Sequence, residues 1–181
     1  MKPQKINFLF FLISSLCFFK TSFAQDSKTQ ISVDFIIKNF GINVDGFFGD
    51  VSISNKFSSQ DISKWQLEGI IKAGSIKTSN SKRDKHLLDA DYFDVATYPE
   101  IKLVATNFKQ VSKTKYDVEA ELTIKAITKS ITIPMDIIDS NNNLILQTNF
   151  EINRRDYNVG GRSFSMSNNV KLKVKYNLIK Q

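Results

Sequence analysis

Ionisable side chains are concentrated between residues 83 and 94, where chemistry would first be sought. The set comprises Arg83, Asp84, His86, Asp89, Asp91 and Asp94, and His86 is the only histidine of the chain. Imidazole and carboxylate groups could bind a metal ion or act as a general base. His86, however, lies next to Lys85 and has no second ligand at a metal-site spacing, and Ser75 and Thr78 lack a histidine to activate them. We therefore predict no catalysis, metal or cofactor, and expect Arg83, Asp84 and His86 to hold their segment by hydrogen bonds.

The first 24 residues have the features of an export signal. Lys2 and Lys5 precede an apolar run over residues 6–19, and Ser22 and Ala24 supply the small residues that a signal peptidase reads. We predict a cleaved signal peptide over residues 1–24, a single domain over residues 25–181, and a periplasmic or secreted location. Lipidation of Cys17 is the alternative. Beyond it the chain has no cysteine, so the sequence excludes disulfides and thiolate metal sites there.

The charge of the predicted domain is mildly positive. Three of the 25 basic residues and none of the 18 acidic residues lie in the first 24, so the remainder carries a net charge of +4. Lysines alternate with apolar residues over residues 171–176 instead of clustering with aromatic side chains. A nucleic-acid-binding surface would show such a cluster. We therefore expect no nucleic-acid partner.

Apolar residues recur with a period of two along most of the domain. From Tyr116 to Ile124 the even-numbered positions are apolar and the odd-numbered positions are Asp, Glu, Glu and Thr. This pattern indicates a strand with one buried and one solvated face. Eight strands are predicted, the second of them punctuated by glycine, at about residues 31–37, 42–53, 65–73, 101–105, 116–124, 131–137, 146–152 and 170–178.

Eight antiparallel strands joined by short turns form either a sandwich or a closed barrel, and the pattern alone does not choose between them. A closed barrel of eight strands can be filled by side chains or can hold one small ligand. Several predicted strands are about nine residues long, which gives an interior about 30 Å long at roughly 3.3 Å per residue. Such an interior would suit a chain-like ligand.

Residues 79–99 form the longest interruption of this regularity. Asn80 or Ser81 can cap a short helix, Leu87 and Leu88 give it an apolar side, and Pro99 requires extended backbone before the next strand. Connections of this length in a compact domain are usually functional or disordered. Because this one carries three aromatic residues, we interpret it as a lid over one end of the barrel.

The motifs of this segment resemble those of a known family. The runs SIKTSNSKRDKHLLDADYFDVATYPEI, LTIKAITKSITIPM and NRRDYNV follow one another in order. They are similar to the YceI-like pattern of S-I-x-T, R-D-x-H-L, F-F-D, Y-P-x-I, L-T-I-x-G-V-T-K and N-R-x-D-F-G. The resemblance implies an all-β, lipocalin-like antiparallel barrel of eight strands with one short helix. In family members such a barrel encloses an elongated apolar pocket for an isoprenoid or similar lipid.

The sequence departs from the family pattern at two turns. Ala126 and Asn158 stand where the family usually has glycine. Asn tolerates left-handed backbone angles, so its substitution is mild. For Ala126 we expect a strand or bulge that does not require glycine. The neighbouring Arg154, Arg155 and Asp156 are predicted to form an ion pair at the barrel rim, with contact between an arginine and a ligand head group as the alternative.

Inward strand positions and the lid supply the candidate ligand-binding residues. They are Phe35, Ile37, Phe48, Leu67, Ile71, Tyr92, Phe93, Leu103, Val118, Ala120, Leu122, Phe150, Val174 and Tyr176. The expected ligand is an isoprenoid, an isoprenoid quinone or a fatty-acyl lipid, and the expected role is to sequester or carry it. Transient membrane contact and a homodimer are compatible with that role. A filled barrel that acts as a structural or interaction module is the alternative function.

Overall fold

The computed structural model describes residues 29–57 and 61–179. The predicted signal peptide, residues 1–24, lies outside the described residues. The strands are β1 (Thr29–Asn39), β2 (Ile42–Phe48), β3 (Val51–Lys56), β4 (Gln66–Lys72), β5 (Ile76–Lys77), β6 (Glu100–Gln110), β7 (Lys115–Ile124), β8 (Ile127–Asp139), β9 (Asn143–Asn153) and β10 (Met166–Ile179). One α-helix, α1 (Ser81–Leu87), and three 3₁₀ turns (Ile62–Lys64, Ala73–Ser75 and Arg154–Tyr157) complete the described elements. None of the described helices is long and apolar enough to cross a membrane.

All ten strands belong to one antiparallel sheet in the order β3-β4-β6-β7-β8-β9-β10-β1-β2-β5. The two strands at the ends of this order, β3 and β5, follow β2 and β4 directly in the chain. Because β2 pairs with β5 while β3 pairs with β4, the ends of the sheet meet and the sheet curls into the predicted lipocalin-like barrel.

The described residues form ten strands, two more than the eight predicted. The predicted strand at 42–53 breaks at Gly49 and Asp50 into β2 and β3, and the next one breaks at the 3₁₀ turn Ala73–Ser75 into β4 and β5. Both breaks lie at one corner, where Gly49 N donates to Ser75 O (3.1 Å) and Lys72 N donates to Asp50 O (3.0 Å). Strands that wrap a small barrel must bend sharply, and glycine in a strand often marks such a bend.

Aromatic side chains fill one end of the barrel. Trp65 lies 4.9 Å from Phe57, 5.6 Å from Phe108 and 5.2 Å from Tyr116, measured between ring centroids. We call these four residues the aromatic end. Val118 and Ile133 pack in the same hydrophobic cluster and are almost completely buried. This end therefore has the dense packing of an ordinary protein core.

The segment 79–99 covers the opposite end, as predicted for a lid. Asn80 caps α1 by accepting a hydrogen bond from Arg83 N (3.0 Å). Leu87, Leu88, Tyr92, Phe93 and Val95 then pack against the second hydrophobic cluster of the core. Lys125 Nζ donates to Ala90 O (2.8 Å), and Gly160 N donates to Asp91 O (2.8 Å), so two neighbouring loops fasten the lid.

Candidate ligand-binding site

A cavity of about 230 Å³ lies between the lid and the aromatic end. Every strand of the barrel contributes at least one lining residue, as does the lid. Nearly all the lining side chains are aliphatic or aromatic, and none of the four residues of the aromatic end is among them. The barrel is thus hollow toward the lid and filled at the other end, and its hollow part can exclude water from an apolar guest.

Twelve of the fourteen predicted residues line this cavity. They are Phe35, Ile37, Phe48, Leu67, Ile71, Tyr92, Phe93, Leu103, Leu122, Phe150, Val174 and Tyr176. Of the two lid aromatics that line the cavity, Tyr92 and Phe93, the second also packs edge-on against Phe48, with ring centroids 6.0 Å apart. The structure therefore brings the lid and the strand walls around one space.

Val118 and Ala120 were predicted for the pocket and do not line it. Their side chains point inward as expected, but they are only 0% and 1% exposed and belong to the cluster around the aromatic end. Ala120 pairs with Ala105 and Ile131, and Val118 pairs with Phe108 and Ile133. Side chains from these neighbours fill the space, so the prediction for both positions is wrong.

The prediction omitted several lining residues. Val33, Gly69 and Ile124 lie on strands that it used and share the inward phase of predicted neighbours, so strict period-two counting would have found them. Ile53 is out of phase with Phe48 on the predicted strand over residues 42–53, because that strand breaks at Gly49 and Asp50. Arg154 and Val159, by contrast, lie outside the strands. No periodic signal points to such residues.

Four of the five polar lining residues, Asn39, Thr78, Arg83 and Arg154, lie at the lid end, and the fifth, Thr148, lies farther along β9, where its hydroxyl donates to Pro134 O (2.6 Å). Arg83 Nε donates to Thr78 Oγ1 (2.7 Å) and Arg83 Nη2 donates to Thr78 O (2.6 Å). Asp84 accepts from Thr78 N (2.8 Å), so both residues fasten α1 to the end of β5, as predicted. Arg83 Nη1 has no hydrogen-bond partner among the described residues. Asn39 Oδ1, at the end of β1, belongs to a residue that lines the same cavity; it is shielded from solvent and accepts no hydrogen bond within the part of the chain that the structure describes.

Arg154 forms no ion pair within the described residues, and the predicted pairing with Asp156 is wrong. The side chain is 4% exposed and lines the cavity. Its Nε donates to Ser167 O (2.8 Å), and its Nη1 donates to Val159 O (2.7 Å), Gly160 O (2.7 Å) and Gly161 O (2.9 Å). Burial lowers the pKa of Arg154, partly offset by Tyr92, and the nearby Arg155 lowers it further. Carbonyl dipoles thus replace the carboxylate partner that was expected.

His86 belongs to the lid and lies away from the cavity lining. Its Nδ1 is 3.2 Å from Asp89 Oδ2, and its exposed ring packs edge-on against Tyr92 with centroids 4.9 Å apart. It therefore helps to hold the lid through contacts within that segment. Among the described residues, no three histidine, cysteine or carboxylate side chains are close enough together to hold a metal ion.

Comparison with known proteins places the chain in a family. Residues 24–178 match the model of the YceI-like domain. The chain belongs to the YceI-like family. A UPF0312 protein of Pseudomonas savastanoi is 34% identical over 102 residues, which are 56% of this chain and 53% of that protein. One from Photorhabdus laumondii is 32% identical over 107 residues, 59% of this chain and 55% of that protein. The aligned part thus spans about half the length of these curated relatives.

Solved structures share the fold. BcnA of Burkholderia cenocepacia superimposes with a TM-score of 0.76 at 21% identity, covering 81% of this chain and 95% of BcnA. A polyisoprenoid-binding domain from Saccharophagus degradans gives a TM-score of 0.66 at 16% identity, covering 83% of this chain and 94% of that domain. At these identities the likeness concerns the barrel and not the details of the site.

Proposed function

We propose that the protein is an exported binding protein, not an enzyme, which sequesters or carries an isoprenoid or similar long-chain apolar molecule inside the barrel. The observation that carries this proposal is the cavity, which is lined mainly by apolar side chains and to which all ten strands and the lid contribute. The polyisoprenoid-binding domain with the same fold supports the ligand class. Isoprenoid quinones and fatty-acyl lipids have the same chain-like, apolar character and belong to the proposal.

Burial of a hydrocarbon chain supplies enough free energy for this role. Each buried methylene contributes about 0.8 kcal/mol, so ten buried carbons would contribute about 8 kcal/mol before the entropic cost of association. That is roughly the free energy of micromolar binding. No charged contact is needed for affinity, and the hollow part of the barrel weighs against the alternative of a filled interaction module.

The polar lid end suggests where a head group would lie. Among the described residues, Asn39 Oδ1 is a buried acceptor without a donor, and Nη1 of the half-buried Arg83 is a donor without an acceptor. A buried polar atom left unpaired destabilises the protein, and a ligand can supply the missing partner. A hydroxyl group at one end of the chain could donate to Asn39 Oδ1 or accept from Arg83 Nη1, whereas a carbonyl group could only accept from Arg83 Nη1, and the tail would extend toward the aromatic end.

Lipid extraction tests the proposal. The protein is expressed in a bacterium, purified without detergent and extracted under denaturing conditions, and the extract is analysed by mass spectrometry beside that of an unrelated protein purified in parallel. We expect one class of isoprenoid or acyl molecule near equimolar amount. Repeated preparations with no lipid above the parallel protein would contradict it. Cell fractionation and the mass of the purified chain test export, with loss of residues 1–24 as the expected result.

A further inference from the structure

Three large apolar side chains protrude from the lid end of the barrel. Phe40 is 80% exposed and Ile42 is 71% exposed at the β1–β2 turn, while Phe164 in the loop before β10 is fully exposed, at 112% of its reference area. The two loops are joined, because Phe40 N donates to Ser165 O (2.8 Å). We call Phe40, Ile42 and Phe164 the rim patch. Single exposed apolar residues are common on protein surfaces. These three are unusually exposed and lie on two joined loops, so they form a patch.

The backbone at Phe40 adds a second unusual feature. Asn39 pairs with Ile42, so Phe40 and Gly41 form a two-residue turn, and their φ angles are +50° and +77°. Such turns favour Asn or Gly at the first position, and a bulky residue there is strained. Phe40 therefore adds backbone strain to the exposure of an aromatic ring. Neither stability nor packing explains this choice of residue, whereas a binding role would.

The rim patch adjoins the cavity. Asn39 and Val44, which flank the patch on the β1–β2 hairpin, both line the cavity, and so does Met166, which follows Phe164 by two residues and pairs with Asn39. On the inner side, buried Arg154 binds the carbonyl groups at both ends of the loop that carries Phe164. The patch is thus held on a fixed support beside the polar end of the cavity.

Each of the two loops that carry the patch contributes a basic residue. Lys38 and Arg162 are both exposed, and neither the hairpin over residues 38–44 nor the loop over residues 157–166 contains an acidic residue. The nearest carboxylates lie just beyond these loops, at Asp45, at Asp156 and at Asp91, whose backbone carbonyl accepts from Gly160 N (2.8 Å). Apolar side chains flanked by basic residues are the features of a surface that inserts shallowly into a bilayer with anionic lipids.

We propose that the rim patch docks on the surface of a lipid bilayer containing anionic lipids, so that the cavity can exchange its ligand with the membrane. The exchange of ligand rests on the proposed function, whereas the docking itself does not need a bound ligand. A second copy of the chain is a poorer fit, because three side chains on two loop tips would bury about 500 Å². A stable interface needs roughly 800 Å² from each partner.

Vesicle flotation tests the rim patch. Vesicles of phosphatidylethanolamine and phosphatidylglycerol are compared with vesicles of phosphatidylcholine, using wild type, Phe40→Asn, Phe164→Ser and the control Val111→Ser. Asn fits the left-handed turn, so Phe40→Asn is expected to fold at least as well as wild type. Val111 is 60% exposed in the β6–β7 turn at the aromatic end. All variants keep the same N-terminus, so any contribution of residues 1–28 cancels.

We expect wild type and Val111→Ser to bind the anionic vesicles equally, and each aromatic substitution to weaken binding about tenfold, the scale expected for one ring removed from an apolar interface. Binding to phosphatidylcholine should be weaker for all four proteins. Equal binding by wild type and both aromatic variants, or no vesicle binding by wild type, would overturn the proposal. A change of oligomeric state in the aromatic variants without a change in vesicle binding would also overturn it and would identify a contact between copies.

The lipid content of the variants separates this proposal from the proposed function. Lipid extracted from the variants should match wild type. A lipid-free protein that still docks through Phe40 would refute only the proposed function.

Discussion

Arg154 holds the loop before β10 through backbone carbonyl groups. Its guanidinium donates to the carbonyls of Val159, Gly160, Gly161 and Ser167 at 2.7–2.9 Å and lies 3.4 Å from that of Met166. Removing a donor leaves such buried acceptors unpaired, which costs about 1–3 kcal/mol for each that water cannot reach. We therefore expect Arg154→Met to lower the free energy of unfolding by at least about 3 kcal/mol. Urea denaturation measures this change.

The adjacent arginine provides a matched control for that substitution. Arg155 is exposed, and its side chain has no hydrogen bond or ion pair among the described residues. Arg155→Met should change stability by less than about 0.5 kcal/mol, as exposed substitutions usually do. Equal destabilisation by the two variants would show that the carbonyl contacts of Arg154 do not stabilise the loop.

Ala126 has a left-handed backbone conformation, so the expectation that this position does not require glycine is wrong. It forms the two-residue β7–β8 turn with Lys125, and their φ angles are +59° and +50°. An L-residue with a Cβ atom is strained there by about 1–2 kcal/mol, whereas glycine is not. Ala126→Gly should therefore raise the free energy of unfolding by about 1 kcal/mol, less than the full strain because glycine is more flexible when unfolded.

Asn158 is the natural comparison for Ala126. It also has a left-handed conformation, with φ of +54°, as the sequence predicted for an asparagine in place of glycine. Because Asn tolerates this region well, Asn158→Gly should leave stability nearly unchanged. A stabilisation of equal size at both positions, or none at Ala126, would contradict the strain assigned to Ala126.

Which residues point inward could be predicted from the sequence, but which of them meet empty space could not. Period-two counting gives the face of a strand. Whether Ala120 or Leu122 lines the cavity depends on side chains that reach across from other strands, and these lie far away in the chain. The role of Arg154 was equally hidden, because its acceptors are carbonyl groups and any residue type supplies one.

At the scale of elements, the lid is the part of the cavity wall that we expect to move most readily when a ligand leaves. It consists of the seven-residue helix α1 and a chain of turns, in contrast to the long strands beneath it. Phe93 lines the cavity and packs on Phe48. Phe93→Ala should therefore speed release of a fluorescent lipid analogue severalfold, because it removes the main aromatic contact between the lid and this part of the wall. Stopped-flow dissociation measures the rate.

Tyr98 provides the control for the lid. It is a half-buried aromatic residue of the same segment and does not line the cavity. Tyr98→Ala should leave the dissociation rate close to that of wild type. If both substitutions speed release equally, general loosening of the lid and not contact at Phe93 controls exit. If neither does, Phe93 is ordinary core.

The elements themselves were largely predictable, since alternation and turn residues located eight extended runs and the aromatic-rich lid. The breaks that turn eight runs into ten strands were not, because Gly49 and the turn at Ala73–Ser75 are bent by pairing with each other across a corner. A glycine in the local sequence allows the strand to bend, but the bend is needed only because the barrel closes.

At the scale of the whole molecule, the barrel has one filled end and one hollow end. Ala120 lies in the filled part and is 1% exposed. Ala120→Phe should therefore overpack the core and lower the stability of delipidated protein by about 1–3 kcal/mol. A melting temperature several degrees lower is expected for a domain of this size. An unchanged melting temperature would show that the filled end has unrecognised space.

Gly69 lies in the hollow part, so a larger side chain there is not expected to lower the stability of the delipidated protein. It lines the cavity between Ile53 and Leu103, and a Cβ atom there would meet no other atom within 4 Å. Gly69→Leu places a side chain in the space proposed for the ligand. It should also preserve or raise the stability of delipidated protein, since Leu fills a cavity and removes a flexible glycine from a strand. Ser52→Leu adds the same side chain at an exposed position of the neighbouring strand β3.

The lipid-to-protein ratio of these variants, measured by mass spectrometry after denaturing extraction, tests most directly whether the barrel interior holds the ligand. Melting temperatures are compared on delipidated protein, because a bound ligand raises apparent stability. The predicted result is a ratio severalfold below wild type for Gly69→Leu, with Ser52→Leu equal to wild type and all three delipidated proteins folded. A folded Gly69→Leu protein that retains the wild-type ratio would contradict the assignment of the ligand to the cavity.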